Sequence, residues 1–441
     1  MEHIRLKALA PVAKLWLRAP LWTALLPLLL GLQFFFPNKV WMALLVGLGG
    51  VWLVAYVWAM QLKRHICLER EMRYGWAQVG DRLEERFTLI NTGLAPAIWL
   101  EIIDQSTLPG YEVSQVTAIS DNARNSWKTS QVCSRRGVYT LGPTQINTGD
   151  PFGLFHVTID IPGIAALMVR PPIVPLPAIE VIPGGRVGEG RRARPDPLEP
   201  TVSTSSVRKY QQGDPLRWVH WPISTRHQEI YVRTFDTTPS SDWWIILDLQ
   251  AKVQVGKGWN STDEHGIILA ASLADRGLRL GHAVGIAFAG EKLVWLSPSQ
   301  SADQQVQILN ALALASLGNT PLAQVLEAAR PALRRGASLI VITPSMQAEW
   351  LEALAFFTRK RFSPTVLFLD PASYGADVES SLIQARLIRL GVNPYVIRRD
   401  LLDRPEAHPG HAGEWEWKVT AHGRAIPIRK PTDLSWHKLG R

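Results

Sequence analysis

Two uncharged, strongly apolar stretches constrain the fold of this 441-residue chain more than any other feature. The first runs from Pro20 to Phe36 and the second from Val40 to Met60, with only a short turn between them. An α-helix needs about 17–25 apolar residues to cross the hydrocarbon core of a bilayer. The sequence therefore predicts a transmembrane helical hairpin over residues 20–62, preceded by an N-terminal segment over residues 1–19.

Basic residues are distributed unevenly around the hairpin. Several lie just before it and just after it, whereas Lys39 alone lies at the turn; the flanking residues are Arg5, Lys7, Lys14, Arg18, Lys63, Arg64, Arg70 and Arg73. Because cytoplasmic flanks carry the excess of Lys and Arg, we expect both termini and the soluble domains in the cytoplasm of a multi-pass inner-membrane protein. A cleaved signal peptide is disfavoured because a second apolar stretch follows at once.

Residues 63–180 have the pattern of a β domain. Short alternating runs such as Glu85 to Gly93, Ala97 to Asp104 and Gly137 to Ile146 are separated by Gly, Pro and Asn. Several short strands at this spacing are typical of a sandwich of immunoglobulin-like type. We therefore expect a β-sandwich domain here.

Residues 181–207 form a linker by composition, rich in Pro, Gly and Arg. The arginines would suit contact with anionic lipid or nucleic acid, or simply a solvated loop. No aromatic side chains alternate with them as a nucleic-acid platform requires. The net charge of +9 is partly carried by the membrane flanks. We therefore favour the solvated loop and expect no nucleic-acid partner.

Residues 208–405 alternate between apolar strands and helices. The run from Trp243 to Leu249 is apolar up to Asp248, as in a buried parallel strand. Helical stretches follow at Asp263 to Leu280 and Ala302 to Leu317. This alternation predicts a doubly wound, mostly parallel sheet in a multi-domain α/β protein. Residues 406–441 are expected to form a C-terminal hairpin, turning at His422-Gly423, and a tail.

The segment from residue 208 to residue 226, RKYQQGDPLRWVHWPISTR, is the most distinctive part of the chain, and we call it the signature segment. Its candidate functional residues are Arg208, Tyr210, Gly213, Asp214, Arg217, Trp221, Ser224 and Arg226. Asp214 can cap a helical turn that begins at Pro215, and Pro222 is expected to end it.

Two interpretations of the signature segment remain open. As a recognition surface, it would use Trp and Arg, the residue types that dominate binding energy at interfaces. As a structural clasp, it would use ion pairs of Asp214 with Arg217 or Arg226, with Trp221 stacked on a guanidinium. Mutation would abolish function in both cases, but folding only in the second.

The signature segment resembles that of a bacterial family known as domain of unknown function 58. A second segment, Arg135 to Phe155, is similar to the Arg-Gly-x-Tyr-x-Leu-Gly-Pro and Asp-Pro-Phe-Gly-Leu motifs of that family. The sequence departs from the pattern at His220, where the family often has Asp. The resemblance extends over roughly residues 20–400. It implies a MoxR-type AAA+ ATPase as partner and attaches no reaction to the chain.

The order of elements after residue 240 resembles a von Willebrand factor A fold. That fold holds Mg²⁺ through Asp-x-Ser-x-Ser, a Thr and a second Asp, the hard oxygen ligands that this ion prefers. Asp248 and Thr320 match two of these ligands, whereas Gln250 and Lys252 replace the serines. A degenerate metal site at Asp248 and Thr320 is one interpretation. The other is that Asp248 caps the strand end or pairs with Lys252.

The sequence contains no Walker-type phosphate loop, dinucleotide fingerprint or Gly-x-Ser-x-Gly elbow. Cys67 and Cys133 are too few for a disulfide framework and are expected to be reduced thiols. His220 and His227 are expected to be ordinary histidines rather than metal ligands or bases. We predict a non-enzymatic interaction or assembly protein without catalytic residues or a cofactor. The alternatives are a Mg²⁺-dependent ligand-binding protein and a cell-envelope hydrolase.

Overall fold

A computed structural model describes most of the chain. The described residues are 11–72, 75–174, 176, 179–182, 204–210, 219–227, 229–235, 242–333, 336–360, 362–401, 416–419, 425–429 and 437–438. The chain divides into two compact units. The first comprises Met1–Pro172 and Arg404–Arg441, and the second comprises Ile173–Asp403.

The first unit contains two helices and a set of short strands. In chain order they are β1 (Val12–Leu17), α1 (Pro20–Phe35), α2 (Lys39–His65), β2 (Ile66–Met72), β3 (Trp76–Gln78), β4 (Arg82–Asn91), β5 (Ala97–Asp104), β6 (Gln115–Ile119), β7 (Arg124–Val132), β8 (Gly137–Leu141), β9 (Thr144–Gly149), β10 (Phe155–Ile161) and β11 (Ala165–Arg170). Both apolar stretches are therefore helical, and α2 continues beyond the predicted hairpin to His65. Strand β1, which lies in the predicted N-terminal segment, was not expected.

Helix α2 is long and apolar enough, by length and composition, to cross a membrane, and α1 is a shorter apolar helix. The side chain of Asn38 caps α2 by accepting from the backbone N–H of Val40 at 3.1 Å. Leu29 is the buried residue of α1, and the buried residues of α2 lie in its second half, at Ala55, Ala59 and Leu62. Most apolar side chains of the hairpin thus face outward.

Strands β1 to β11 of the first unit belong to three sheets. A five-stranded sheet has the order β1-β10-β9-β5-β6, a three-stranded sheet the order β3-β11-β8, and β2, β4 and β7 lie side by side in a four-stranded sheet. Burial alternates strictly along β4, so one face of this strand packs inward. The predicted strand from Gly137 to Ile146 is instead two strands, β8 and β9, in different sheets. Pro143 separates them because proline cannot donate to a ladder.

The second unit follows the predicted alternation. Its elements are β12 (Thr204–Lys209), α3 (Trp221–His227), β13 (Tyr231–Phe235), β14 (Trp243–Leu247), β15 (Gly256–Lys257), β16 (Asn260–Ser261), α4 (Thr262–Arg279), β17 (Val284–Ala289), β18 (Leu293–Ser299), α5 (Gln304–Ala313), α6 (Leu322–Ala329), β19 (Ser338–Thr343), α7 (Glu349–Arg359), β20 (Thr365–Leu369), α8 (Ser381–Arg389) and β21 (Tyr395–Ile397). The long helix predicted from Ala302 to Leu317 is shorter than expected, and α6 was not predicted.

Six of these strands form one sheet in the order β18-β17-β14-β19-β20-β21. All neighbouring strands are parallel except β17 and β18, which are antiparallel. Alternate residues of β14 enter two separate cores. Ile245 and Leu247 pack with α4 and α5, whereas Trp244 and Ile246 pack with α6, α7 and α8. The sheet therefore carries helices on both faces.

The tail returns to the first unit. Strands β22 (Glu416–Val419) and β23 (Ala425–Arg429) pair antiparallel, and the predicted turn at His422-Gly423 lies outside the described residues. Strand β24 (His437–Lys438) then pairs with β2 at the edge of the four-stranded sheet. At the other boundary, Ile173 and Val174 pack against the core of the second unit, so that unit begins before the expected linker.

Candidate functional site

The carboxyl ends of β14 and β19 lie side by side where the strand order reverses, the position at which open α/β sheets bind ligands. Asp248 follows β14 and is buried. The hydroxyl of Thr343, at the end of β19, donates to Asp248 Oδ2 at 2.6 Å, and the backbone N–H of Gln250 donates to Asp248 Oδ1 at 3.1 Å. Both carboxylate oxygens are therefore engaged by the protein itself.

Burial dominates the electrostatics of Asp248. It raises the pKa of the carboxyl to about 6, against the opposing effect of the hydrogen bonds from Thr343 and Gln250. The bond to Gln250 confirms that Asp248 caps its strand end. The alternative pairing with Lys252 is wrong, because Lys252 is exposed and no ion pair joins these two described residues.

The two residues predicted for a degenerate metal site are carried by neighbouring segments at this edge of the sheet. The loop that carries Thr320 does lie beside the end of β14, since Gly318 accepts from Ala251 N at 2.7 Å and donates to Leu249 O at 2.9 Å. However, no hydrogen bond links Thr320 to Asp248, and no group of three His, Cys, Asp or Glu suited to a metal occurs in the described part of the chain. One carboxylate with both oxygens engaged does not fit the six oxygen ligands of Mg²⁺.

A second buried polar group at this edge was not predicted. His265, in the first turns of α4, is fully buried, and its Nδ1 lies 2.6 Å from the hydroxyl of Tyr374. Its Nε2 has no hydrogen-bond partner. Burial, with a smaller contribution from Arg399, lowers the pKa of His265 to about 4, so the imidazole is neutral at physiological pH. This histidine is packed into the protein rather than presented to a substrate.

The thiol of Cys133 is also unsuited to nucleophilic chemistry. Cys133 is fully buried, and burial raises its pKa to about 12, with a smaller contribution from Asp81. Because the thiolate is the reactive form, this cysteine is inert at neutral pH. Cys67 is exposed on β2, and neither cysteine is in a disulfide.

Part of the signature segment lies outside the described residues. This applies to Gly213, Asp214 and Arg217, and therefore to the predicted cap and to the ion pairs of Asp214. Arg208 lies in β12 opposite Val232 of β13. The backbone N–H of Tyr210 continues this pairing by donating to Ile230 O at 2.8 Å. The beginning of the segment is thus fixed by a two-stranded antiparallel sheet.

Ser224 ties the second half of the segment to the same strand. It is buried, and its Oγ accepts from the backbone N–H of Tyr231 at 2.8 Å and donates to His220 O at 3.0 Å. His220 Nδ1 in turn accepts from Ile223 N at 3.3 Å, as a helix cap does. The turn from Pro215 that Pro222 is expected to end lies outside the described residues. Pro222 itself lies in the first turn of α3, where its missing N–H costs nothing.

Trp221 and Arg226 both face solvent on this helix. The side chain of Trp221 is 63% exposed, which is high for so large an apolar group, and Arg226 is exposed as well. Burial separates the roles of the described signature residues. Ser224 holds α3 in place, and Trp221 and Arg226 are displayed by it. Side-chain burial of this kind cannot be read from a short irregular segment, so the sequence left both interpretations open.

Comparisons with known proteins agree with the resemblance noted from the motifs. Residues 206–374 match the family described as "Protein of unknown function DUF58". The match includes the signature segment and leaves the upstream Arg135 to Phe155 segment outside. Uncharacterized proteins of Mycobacterium bovis and Mycobacterium tuberculosis are 22% identical over 179 residues, which is 39% of this chain and 56% of each relative. The chain thus spans about half the length of these relatives.

Two solved structures are similar to parts of the chain. The VWA domain of SpRpn10 has a TM-score of 0.27 at 9% identity, covering 36% of this chain and 89% of that one. A CARDB domain from Pyrococcus furiosus has a TM-score of 0.18 at 8% identity, covering 24% of this chain and 90% of that one.

Proposed function

We propose that this chain is a membrane-anchored, non-enzymatic interaction or assembly protein, and that its signature segment docks a MoxR-type AAA+ ATPase in the cytoplasm. The observation that carries the proposal is the exposed Trp221 on a helix that Ser224 and His220 hold in place. The ATPase is the partner that the family resemblance implies.

A rigid, exposed tryptophan is the kind of group that anchors a protein interface. Trp and Arg are enriched among the few residues that dominate binding energy. They contribute most when the side chains and backbone are already ordered, because binding then loses little conformational entropy. Trp221 and Arg226 lie on one short helix, whose N-terminus is capped and whose middle is bonded to β13. Helix α3 therefore has the exposed side chains and the local rigidity of a docking surface.

The state of the buried polar groups supports a non-enzymatic role without a cofactor. At the carboxyl edge of the sheet, Asp248 is engaged by Thr343 and Gln250, and His265 is enclosed and neutral. The thiol of Cys133 is inert. A catalytic group must reach the substrate with a pKa suited to proton transfer or attack. None of these three side chains meets both conditions.

Membrane anchoring is supported by the outward-facing apolar surface of the hairpin. Leucine, valine and phenylalanine side chains of α1 and α2 are extensively exposed, among them Leu28, Phe34 and Val46. Such a surface is unfavourable in water and suits lipid. Strand β1 before α1 and strand β2 after α2 both belong to the same unit, as a hairpin requires. The basic flanks then favour a cytoplasmic body.

We further propose that the second unit has a von Willebrand A-like fold and that the first unit contains a β-sandwich. The order of the six-stranded sheet, with its single antiparallel neighbour and helices on both faces, supports a von Willebrand A-like second unit. The alternating burial along β2 and β4 supports a sandwich arrangement of the sheets in the first unit.

The experiment is a crosslinked pull-down of the full chain from detergent-solubilised membranes, comparing wild type with Trp221→Ala. Leu382→Ala is the matched control, because Leu382 is an apolar residue of the same unit with almost the same exposure, 62% against 63%. We expect wild type and the Leu382 variant to capture an AAA+ ATPase in an ATP-sensitive manner. We expect Trp221→Ala to lose it several-fold at an unchanged melting temperature.

Two results would count against the proposal. An early-melting Trp221→Ala variant would make the tryptophan part of a structural clasp. Absence of an ATPase from the wild-type capture would refute the proposed ATPase partner.

A further inference from the structure

The loop that joins β9 to β10 combines a rigid base with an exposed aromatic tip. It reads DPFGLF from Asp150 to Phe155 and has no charged side chain after Asp150. Asp150 is buried, and its carboxylate accepts from the backbone N–H groups of Phe152 at 3.0 Å, Leu154 at 3.3 Å and Phe155 at 2.6 Å. The aspartate therefore holds the whole loop in one conformation.

This conformation separates the apolar side chains of the loop. Leu154 and Phe155 are buried, whereas Phe152 is 52% exposed. Gly153 supports the reversal between them, because its φ of +73° lies in the left-handed region that glycine adopts at no cost. Exposure of an apolar ring to water is unfavourable, and the rigid turn prevents Phe152 from folding back onto the protein. The loop therefore suits contact between Phe152 and an apolar environment.

The loop is attached to the helical hairpin. The ring of Phe155 lies 5.7 Å from the ring of Trp52 and 5.8 Å from that of Tyr56, both on α2. The backbone N–H of Arg18, just before α1, donates to Leu154 O at 2.9 Å. The position of the loop along the hairpin is therefore defined at both helices.

Helix geometry then sets the depth of the loop in a bilayer. A helix rises 1.5 Å per residue, so the distance from Lys39, at the tip of the hairpin, to Trp52 is about 20 Å. The hydrocarbon core is about 30 Å thick. If Lys39 lies at the far surface, Trp52 is still at the depth of the near acyl chains. A loop packed beside Trp52 must then reach the lipid.

We infer that the loop from Asp150 to Phe155 is a second membrane contact, with Phe152 inserted among the outer acyl chains of the cytoplasmic leaflet. This inference rests on the proposed membrane anchoring by the hairpin. The apolar surface continues into β1, where Trp16 and Leu17 are exposed and Leu17 lies directly opposite Phe155. Aromatic side chains are enriched at this level of a membrane. This contact would fix the orientation of the strands of the first unit relative to the bilayer.

The test is the accessibility of nitroxide labels in the full chain, reconstituted in vesicles of phosphatidylethanolamine and phosphatidylglycerol. A Cys67→Ser background carries one label at Phe152→Cys, Leu94→Cys or Val46→Cys; the native Cys133 is buried and stays unlabelled. Leu94 is the matched control. It is an exposed apolar loop residue of the same unit, but its loop is bonded to Trp58 and His65, farther from the hairpin tip than Trp52.

We expect the Val46 and Phe152 labels to be accessible to oxygen and shielded from a water-soluble nickel chelate. The ratio of the two accessibilities should be several-fold higher at Phe152 than at Leu94. A Phe152 label as accessible to nickel as the Leu94 label, with Val46 in lipid, would overturn the inference and leave the anchor intact. A Phe152 label shielded from both reagents would show a protein cover and also overturn it. A Val46 label accessible to nickel would instead refute membrane anchoring.

Discussion

Two buried ionisable side chains of the second unit should respond to pH in opposite directions. The pKa of Asp248 is raised to about 6 from an ordinary value of 3.8, so the folded state holds this proton more tightly than the unfolded chain. Its contribution to stability therefore falls as pH rises through that window. The pKa of His265 is lowered to about 4 from 6.5, so its contribution falls as pH decreases. The two effects oppose each other between about pH 4 and pH 6.

Asp248→Asn should remove one of the opposing effects. The amide can still accept from Gln250 N and can donate to Thr343 Oγ1, so the contacts survive without the titration. We expect the variant to be at least as stable as wild type at pH 7.5, and to lose relative stability on acidification to pH 4.5. The difference between the two pH values should be about 2 kcal/mol.

The measurement is thermal unfolding of the detergent-solubilised chain across this pH range, with hydrogen exchange of α4 peptides to localise the change. His265→Asn, which replaces the other titrating group, should tilt the profile in the opposite direction. An Asp248→Asn profile parallel to that of wild type would show that Asp248 titrates like an exposed carboxyl.

Single residues show how far sequence reasoning extends. A strand-end cap was one of the interpretations left open for Asp248, because an aspartate that follows a buried strand has backbone N–H groups within reach. Its main partner, Thr343, is 95 positions away, and local spacing therefore suggested Lys252 instead. The role of His265 depends on Tyr374, 109 positions away. Such partners become visible only when the fold is known.

At the level of elements, a buried charge cluster joins strands of two sheets in the first unit. The guanidinium of Arg70 on β2 donates to Glu85 on β4 at 2.7 and 2.9 Å and to Asp104 on β5 at 2.8 Å. The hydroxyl of Tyr111 donates to Glu85. The pKa of this tyrosine is raised, mainly because the side chain is buried. Arg70 also lies over the ring of Phe87.

Arg70→Ala should therefore be strongly destabilising. It leaves the buried Glu85 and the buried side chain of Asp104 without their cation, which typically costs roughly 3–5 kcal/mol. The control is Arg86→Ala, since Arg86 is partly exposed and its contact with Glu71 is longer, at 3.8 Å; exposed pairs are worth about 1 kcal/mol or less. Thermal unfolding of the two variants, with hydrogen exchange of β2 and β4, gives the comparison. Equal costs would mean that the cluster does not hold these strands together.

Elements with a strong periodic pattern were predictable, and those that depend on a distant partner were not. The strand Ala97–Asp104 has the predicted bounds, and α4 differs from its prediction by one residue at each end. Strand β1 was missed because it is short and exists by pairing with β10, far along the chain. Helix α6 was not predicted, and it has only eight residues, which directly follow Pro321.

At the level of the whole molecule, the native cysteines report the orientation in the membrane. Cys67 is exposed and lies just after α2, whereas Cys133 is buried with a pKa raised to about 12. If the body is cytoplasmic, a membrane-impermeant maleimide should label inside-out vesicles and leave intact spheroplasts unlabelled. Cys67→Ser should abolish the signal. Labelling of intact spheroplasts would place the body outside the cytoplasm.

The division of the chain was less predictable than its elements. Composition indicated a linker over residues 181–207, but the second unit already begins at Ile173, whose side chain packs against the α/β core. The tail was expected to be separate, and it belongs to the first unit. Composition identifies polar connections, whereas membership of a unit is decided by contacts that bridge long separations.

The return of β24 to β2 has a consequence for the order in which the protein is made. The first unit is encoded on both sides of the second, because Arg404–Arg441 follows Ile173–Asp403 in the chain. During translation, the four-stranded sheet must therefore wait for its outer strand until the ribosome has passed through the whole α/β unit. Until then, the free edge of β2 is open to mispairing with other strands.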